Sequence, residues 1–158
     1  MIVVSDTTAI NYLILIGYSH VLGEMFHLVV LPTAVFQELQ SPQSPDEVRT
    51  WCTALPVWCR VESVATIPLE LMHLGNGERE AIALAEQLQA DLILIDEARG
   101  RRVAHQRGLS ITGTIGVLDQ AAELQLIDVD EAVDRLKRTT FRASPALFKR
   151  LKQSKKDA

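Results

Sequence analysis

The chain is short of aromatics and cysteines and has no long apolar run. Phe, Trp and Tyr make up only 5% of its 158 residues, so a broad platform for stacking nucleobases is not evident. Its two cysteines, Cys52 and Cys59 in WCTALPVWC, have no second pair and no histidine nearby. That makes a poor zinc site, and buried free thiols are the expectation. No stretch approaches the roughly 18 consecutive apolar residues that mark a membrane helix. The N-terminus lacks a basic region followed by a cleavage site, so the expected compartment is the cytoplasm and no membrane partner is expected. The four histidines, His20, His27, His73 and His105, share no metal-ligand spacing.

What is present suits one domain over residues 1–158, long enough to bury a core. Apolar residues make 47% and charged residues 23%, ordinary values for a globular protein. The net charge of −4 hides an asymmetry: residues 1–96 carry 3 Lys/Arg and 12 Asp/Glu, whereas residues 97–158 carry 13 and 8. An acidic site facing a basic track for polyanions produces that split, and so does a solvated basic tail. The basic helical segment begins at about residue 142, and its lysine-rich end, Lys152 to Lys156, is expected to fray.

MIVVS reads as a buried strand, followed by a helix over TAINYLILIG with Thr7 or Thr8 as N-cap and Gly17 as its end. A second helix is expected over Tyr18 to Phe26. HLVVLP is a strand stopped by Pro32, and PTAVFQELQ a helix. SPQSP is a loop, DEVRTWCTAL a helix and VWCRVESV a strand. LGNGEREAIALAEQL becomes helical from about Glu78. ADLILID and LSIT are strand-like around a helical EARGRRVAHQRG, and three helical segments follow. Strands alternating with helices predict an α/β domain with a mainly parallel sheet.

In such sheets, sites form beyond the carboxyl ends of strands. Asp6 ends IVVS and Asp96 ends LILI; Glu38 and Glu78 lie in helices that follow strands or loops nearby. Oxygen ligands without thiol or imidazole suit a cation of the magnesium class. Each acid also has a structural explanation. Asp6 and Asp96 are each placed to cap a following helix, Glu78 complements a helix N-terminus, and Glu38 is a solvated face residue. Arg99, Arg101, Arg102 and Arg107 share one helical stretch. They are either a phosphate-binding face or a solvated one with salt bridges.

The ordered series VSDTTAI, LPTAVFQEL, GEREAIALA, LILIDEARGRRVA and ITGTIGVL, from residue 2 to about residue 126, resembles the PIN-domain family. It looks closest to small prokaryotic members related to VapC-like toxins. The resemblance implies a three-layer α/β/α fold with a mainly parallel central sheet and an endoribonuclease dependent on Mg²⁺ or Mn²⁺. It carries the acids onto Asp6, Glu38, Glu78 and Asp96, with Asp6, Asp96 and Glu78 as metal ligands and Thr7 or Thr8 as the hydroxyl after the first acid. Arg99, Arg101 and Arg102 would contact RNA. Glutamate stands where aspartate is commoner in the third motif, Glu80 competes with Glu78 for that role, and Glu97 replaces a second aspartate in the fourth. A toxin also implies an antitoxin protein partner covering the groove, and a homodimer. The apolar YLILI is either that docking face or core. The alternative from another class is an inactive PIN-like module that binds RNA or protein.

Other strand-end aspartate folds fit worse. SDTTA has threonine where a haloacid-dehalogenase-type phosphatase needs its second aspartate. A receiver domain wants an acidic pair after the first strand and a lysine after the last, and ITGTIG has none. LGNGER follows no strand and reaches no third glycine, which argues against a dinucleotide fold.

Overall fold

The computed structural model describes residues 1–157, and the side chains of residues 1–152. The fraying expected of Lys155 and Lys156 lies outside the described side chains. Five strands form one parallel sheet: β1 Ile2–Ser5, β2 Leu28–Pro32, β3 Cys59–Glu62, β4 Leu92–Leu94 and β5 Ile111–Thr112, in the order β3-β2-β1-β4-β5.

The helices are α1 Thr7–Leu15, α2 His20–Met25, α3 Thr33–Leu39, α4 Asp46–Cys52, α5 Asn76–Leu88, α6 Ala98–Gln106, α7 Thr114–Glu123, α8 Val129–Lys137 and α9 Pro145–Asp157. A single 3₁₀ turn at Leu69–Leu71 had no counterpart in the expected elements.

The strands are apolar runs because both faces of the sheet are covered. Val3, Val29, Leu31 and Leu94 point into one core with α1, α7 and α8. Val4, Val30, Ile93 and Ile95 point into a second core with the alanine-rich face of α5 and with Ala104 of α6. Adjacent residues thus serve opposite layers, the period-2 rule of a strand, and the result is a three-layer α/β/α sandwich. Within YLILI, Leu13, Ile14 and Ile16 are buried in the first core, and Tyr12 and Leu15 pack partly buried against it.

Two helix starts are now placed, the first among the caps expected for it. The cap of α1 is Asp6, whose side chain accepts the Ala9 N–H at 3.1 Å, and neither threonine caps it. Asp6 is the last extended residue, with φ −78° and ψ −179°, so it alone has the backbone of an N-cap. Helix α5 starts at Asn76, two residues before Glu78, with Gly75 as N-cap. The end of α1 is as expected: Gly17 takes φ +78°, a left-handed conformation that glycine adopts without a Cβ penalty. Cys52 and Cys59 are free and buried, and burial pushes the Cys59 thiol up to about 12. Among the described residues no helix is long and apolar enough to cross a membrane.

Candidate active site

The sheet order decides where the site lies. From β1 the chain winds outward through β2 to β3, and from β4 it winds the other way to β5. The connections diverge between β1 and β4, which leaves a crevice at the carboxyl ends of those two strands. Ser5 pairs with Leu94, and the Asp6 N–H continues the ladder to the Leu94 carbonyl at 2.9 Å. Asp6 and Asp96 therefore leave neighbouring strands at the mouth of one crevice.

Asp6 is 2% exposed. Burial is the main reason its carboxyl is pushed up to about 8, and the charges of Asp96 and Glu78 push the same way against the Ala9 N–H. Glu78, in the first turn of α5, is raised to about 7. Burial leads again, followed by the charge of Glu97 and a hydrogen bond with it, while Arg99 opposes. So Asp6, Asp96, Glu78 and Glu97 form one electrostatically linked group. Glu38 lies beside it on α3. A Cβ on Gly77 would come within 2.8 Å of Thr7 Oγ1 and 3.1 Å of Glu38 Oε1, so that bare backbone lets Glu38 and Thr7 share a corner.

Glycine does the same for the other acids. A Cβ on Gly100 would sit 2.5 Å from Glu78 Oε2, and one on Gly113 would collide with Asp96 Oδ1. Substitution at either position must displace a carboxylate. No sequence motif marks these glycines as site residues.

Thr114 is a further site residue outside the expected set. Asp96 does not cap α6, whose N-cap is Glu97 without a side-chain bond. Its two oxygens accept instead from Thr114, from the backbone N–H at 2.8 Å and from Oγ1 at 2.6 Å. Thr114 is fully buried at the start of α7. The signal for it was available, because ITGT places a hydroxyl just beyond the next strand end.

Glu78 and Glu80 separate clearly. Glu80 Oε1 accepts the Ala34 N–H at 3.0 Å, satisfying one of the donors left open in the first turn of α3. Glu80→Ala should cost about 1 kcal/mol of stability, the usual loss of a helix cap, and Glu80→Gln much less. Denaturant unfolding reads this directly. A variant as stable as the wild type would show the contact to be idle.

The arginines divide as well. Arg107 is held by Glu86 through two hydrogen bonds of 2.6 and 3.2 Å. Arg101 donates from Nη1 to the Ile95 carbonyl at 2.9 Å, bracing the end of β4. Arg99 and Arg102 are exposed.

The residues fit a hydrated divalent cation. Thr7 Oγ1 and Glu78 Oε2 are buried oxygens without a hydrogen-bond partner, and the donor set is entirely oxygen, as the magnesium class prefers. Among the described residues no three His, Cys, Asp or Glu side chains make a ready cage.

Comparison with known proteins gives the same fold. A PilT N-terminus domain protein from the hyperthermophilic archaeon Sulfolobus solfataricus P2 has a similar structure, with a TM-score of 0.58 at 17% identity over 77% of this chain and 93% of that one. No curated protein matches. The family model DUF3368, described as a PIN domain, matches residues 2–157. The chain belongs to the PIN-domain family, whose members are typically nucleases.

Proposed function

We propose that this PIN domain is a divalent-metal-dependent endoribonuclease. One observation carries the reading: two aspartates end adjacent strands at the crevice of the sheet, and burial together with the neighbouring charges of Asp96 and Glu78 holds a proton on Asp6 up to about pH 8. Clustered carboxylates of this kind repel one another unless a cation joins them.

Asp6 and Asp96 are the main ligands for Mg²⁺ or Mn²⁺, with Glu78 as the third. When bound, such an ion supplies positive charge for the phosphodiester and makes an attacking water more acidic. Thr114 fixes the rotamer of Asp96 through both carboxylate oxygens. Glu38, exposed at the rim, and Glu97, whose charge raises Glu78, are placed to orient water and to exchange protons with solvent. Arg99, whose charge reaches Glu78, and the exposed Arg102 on the same helix serve as phosphate contacts.

The likeness of the sequence motifs to VapC-like members supports a finer reading, a cytoplasmic toxin held in check by an antitoxin protein and working as a homodimer.

The test is incubation of labelled single-stranded RNA with purified protein in Mn²⁺, in Mg²⁺ and in EDTA. Cleavage in either metal and none in EDTA is expected. RNA that is bound and left intact in every condition would replace the nuclease with a binding module.

A further inference from the structure

A groove of about 800 Å³ includes Asp96 in its lining and is walled by α1, β5, α7, residues 140–143 and the start of α9. Its outer wall is pinned to the domain. Tyr12 Oη and Thr140 Oγ1 lie 2.7 Å apart in a hydrogen bond. The rings of Tyr12 and Phe141 meet edge to face, 5.1 Å between centroids at 83°. The segment after α8 is thus held across α1, with the Arg142 side chain exposed beside the groove.

Three features of the lining select the occupant. Arg101, beside Asp96 at Gly113, and Arg142 both line the groove, in the part of the chain that carries 13 Lys/Arg against 8 Asp/Glu. Phe141, packed on Tyr12, offers an aromatic ring to the same groove. Asp119, half-buried on the α7 wall, presents a carboxylate acceptor to the groove. A ligand that matches is anionic at intervals, has a flat π face and brings its own hydrogen-bond donor. Single-stranded RNA has all three, the donor being a ribose hydroxyl.

We propose that this groove holds the single-stranded RNA on one side of the cleaved bond, with Arg101 and Arg142 on phosphates, Phe141 against a base and Asp119 accepting from a ribose hydroxyl. The proposal rests on the ribonuclease reading of the carboxylate site and adds to it a track and an RNA-over-DNA filter. Residues 140–143 are then substrate contacts rather than a connector between helices.

Fluorescence anisotropy with a short labelled single-stranded RNA in EDTA measures binding without cleavage. Arg142→Glu, a change at an exposed residue, should weaken binding by roughly tenfold or more and lower the salt slope by about one. Phe141→Leu, which keeps an apolar contact for Tyr12, should weaken it by several-fold to tenfold. Asp119→Ala should shrink the preference for RNA over DNA of the same sequence, with thermal melts confirming that each variant is folded. RNA affinity unchanged in Arg142→Glu and Phe141→Leu, in a protein that still cuts RNA with metal, overturns the groove and leaves the nuclease standing. Weakened binding in a protein that cuts under no condition supports the groove and removes the nuclease. A wild type that does not bind RNA, its groove open only to a protein partner, overturns the proposal outright.

Discussion

Asp6→Asn is expected to make the metal-free protein more stable at pH 8 while abolishing metal binding and RNA cleavage. The carboxyl has its pKa raised from 3.8 to about 8 on folding, so the native state binds its proton more tightly than the unfolded chain does. Stability from this group is complete below the unfolded value and is lost as pH rises through the folded one. At pH 8 the wild type therefore carries a cost that an uncharged asparagine avoids. Asparagine also keeps a side-chain oxygen for the Ala9 N–H. A relief of about 2 kcal/mol would raise the melting temperature by roughly 4–8 °C in a chain of this size. The advantage should shrink towards pH 5, where Asp6 is already protonated. Mn²⁺ reverses the order, because a ligand at a hundred times its Kd stabilises the wild type by about 2.7 kcal/mol and leaves the variant unmoved. Cleavage should fall by more than the roughly 10–100-fold that an outer partner of a metal ligand costs. An Asp6→Asn protein no more stable than wild type in EDTA at pH 8 would mean that the protein itself satisfies this carboxylate.

Thr114→Val is the second change of large effect. Valine keeps the shape of threonine and the backbone N–H to Asp96 Oδ1, and removes only the Oγ1 donor that holds Oδ2 at 2.6 Å. One oxygen of the carboxylate then has no protein donor and its rotamer is free. Loss of such a positioning bond costs roughly 10–100-fold in metal affinity or activity, and Thr114→Ser should restore most of it. Mn²⁺ titration and RNA cleavage, run on both variants, separate this from a packing defect. A valine variant with unaltered metal affinity would reduce Thr114 to a core residue.

The elements were legible because a parallel sheet covered on both faces writes each strand as an unbroken apolar run. Asp6 and Asp96 were legible by the same rule, since each closes such a run. What sequence does not carry is which strand ends are neighbours. The pairing of Ser5 with Leu94 brings the two acids to one crevice, and no local pattern states it. Glu78 and Glu80 look alike in GEREA, yet two residues along a helix turn the side chain by about 200°. Glu78 faces the acids and Glu80 reaches α3. Asp6, Thr7 and Thr8 are all good capping residues by type. Backbone conformation chose Asp6, a choice made by where β1 ends. Gly77, Gly100 and Gly113 were invisible as site residues because their contribution is the absence of a side chain. ITGT shows a hydroxyl beyond a strand end, but not that its partner is Asp96, 18 positions away.

The most direct test of the shared carboxylate centre is calorimetric titration of Mn²⁺ into metal-free protein at pH 7, in two buffers of different ionisation enthalpy, beside Asp6→Asn. With Asp6 raised to about 8 and Glu78 to about 7, the metal must displace protons that these carboxyls hold. Binding should release about one proton per ion to the buffer and should vanish in the variant. Mn²⁺ binding without proton release, or binding that survives loss of the Asp6 carboxylate, would contradict a cation centre built on Asp6, Glu78 and Asp96.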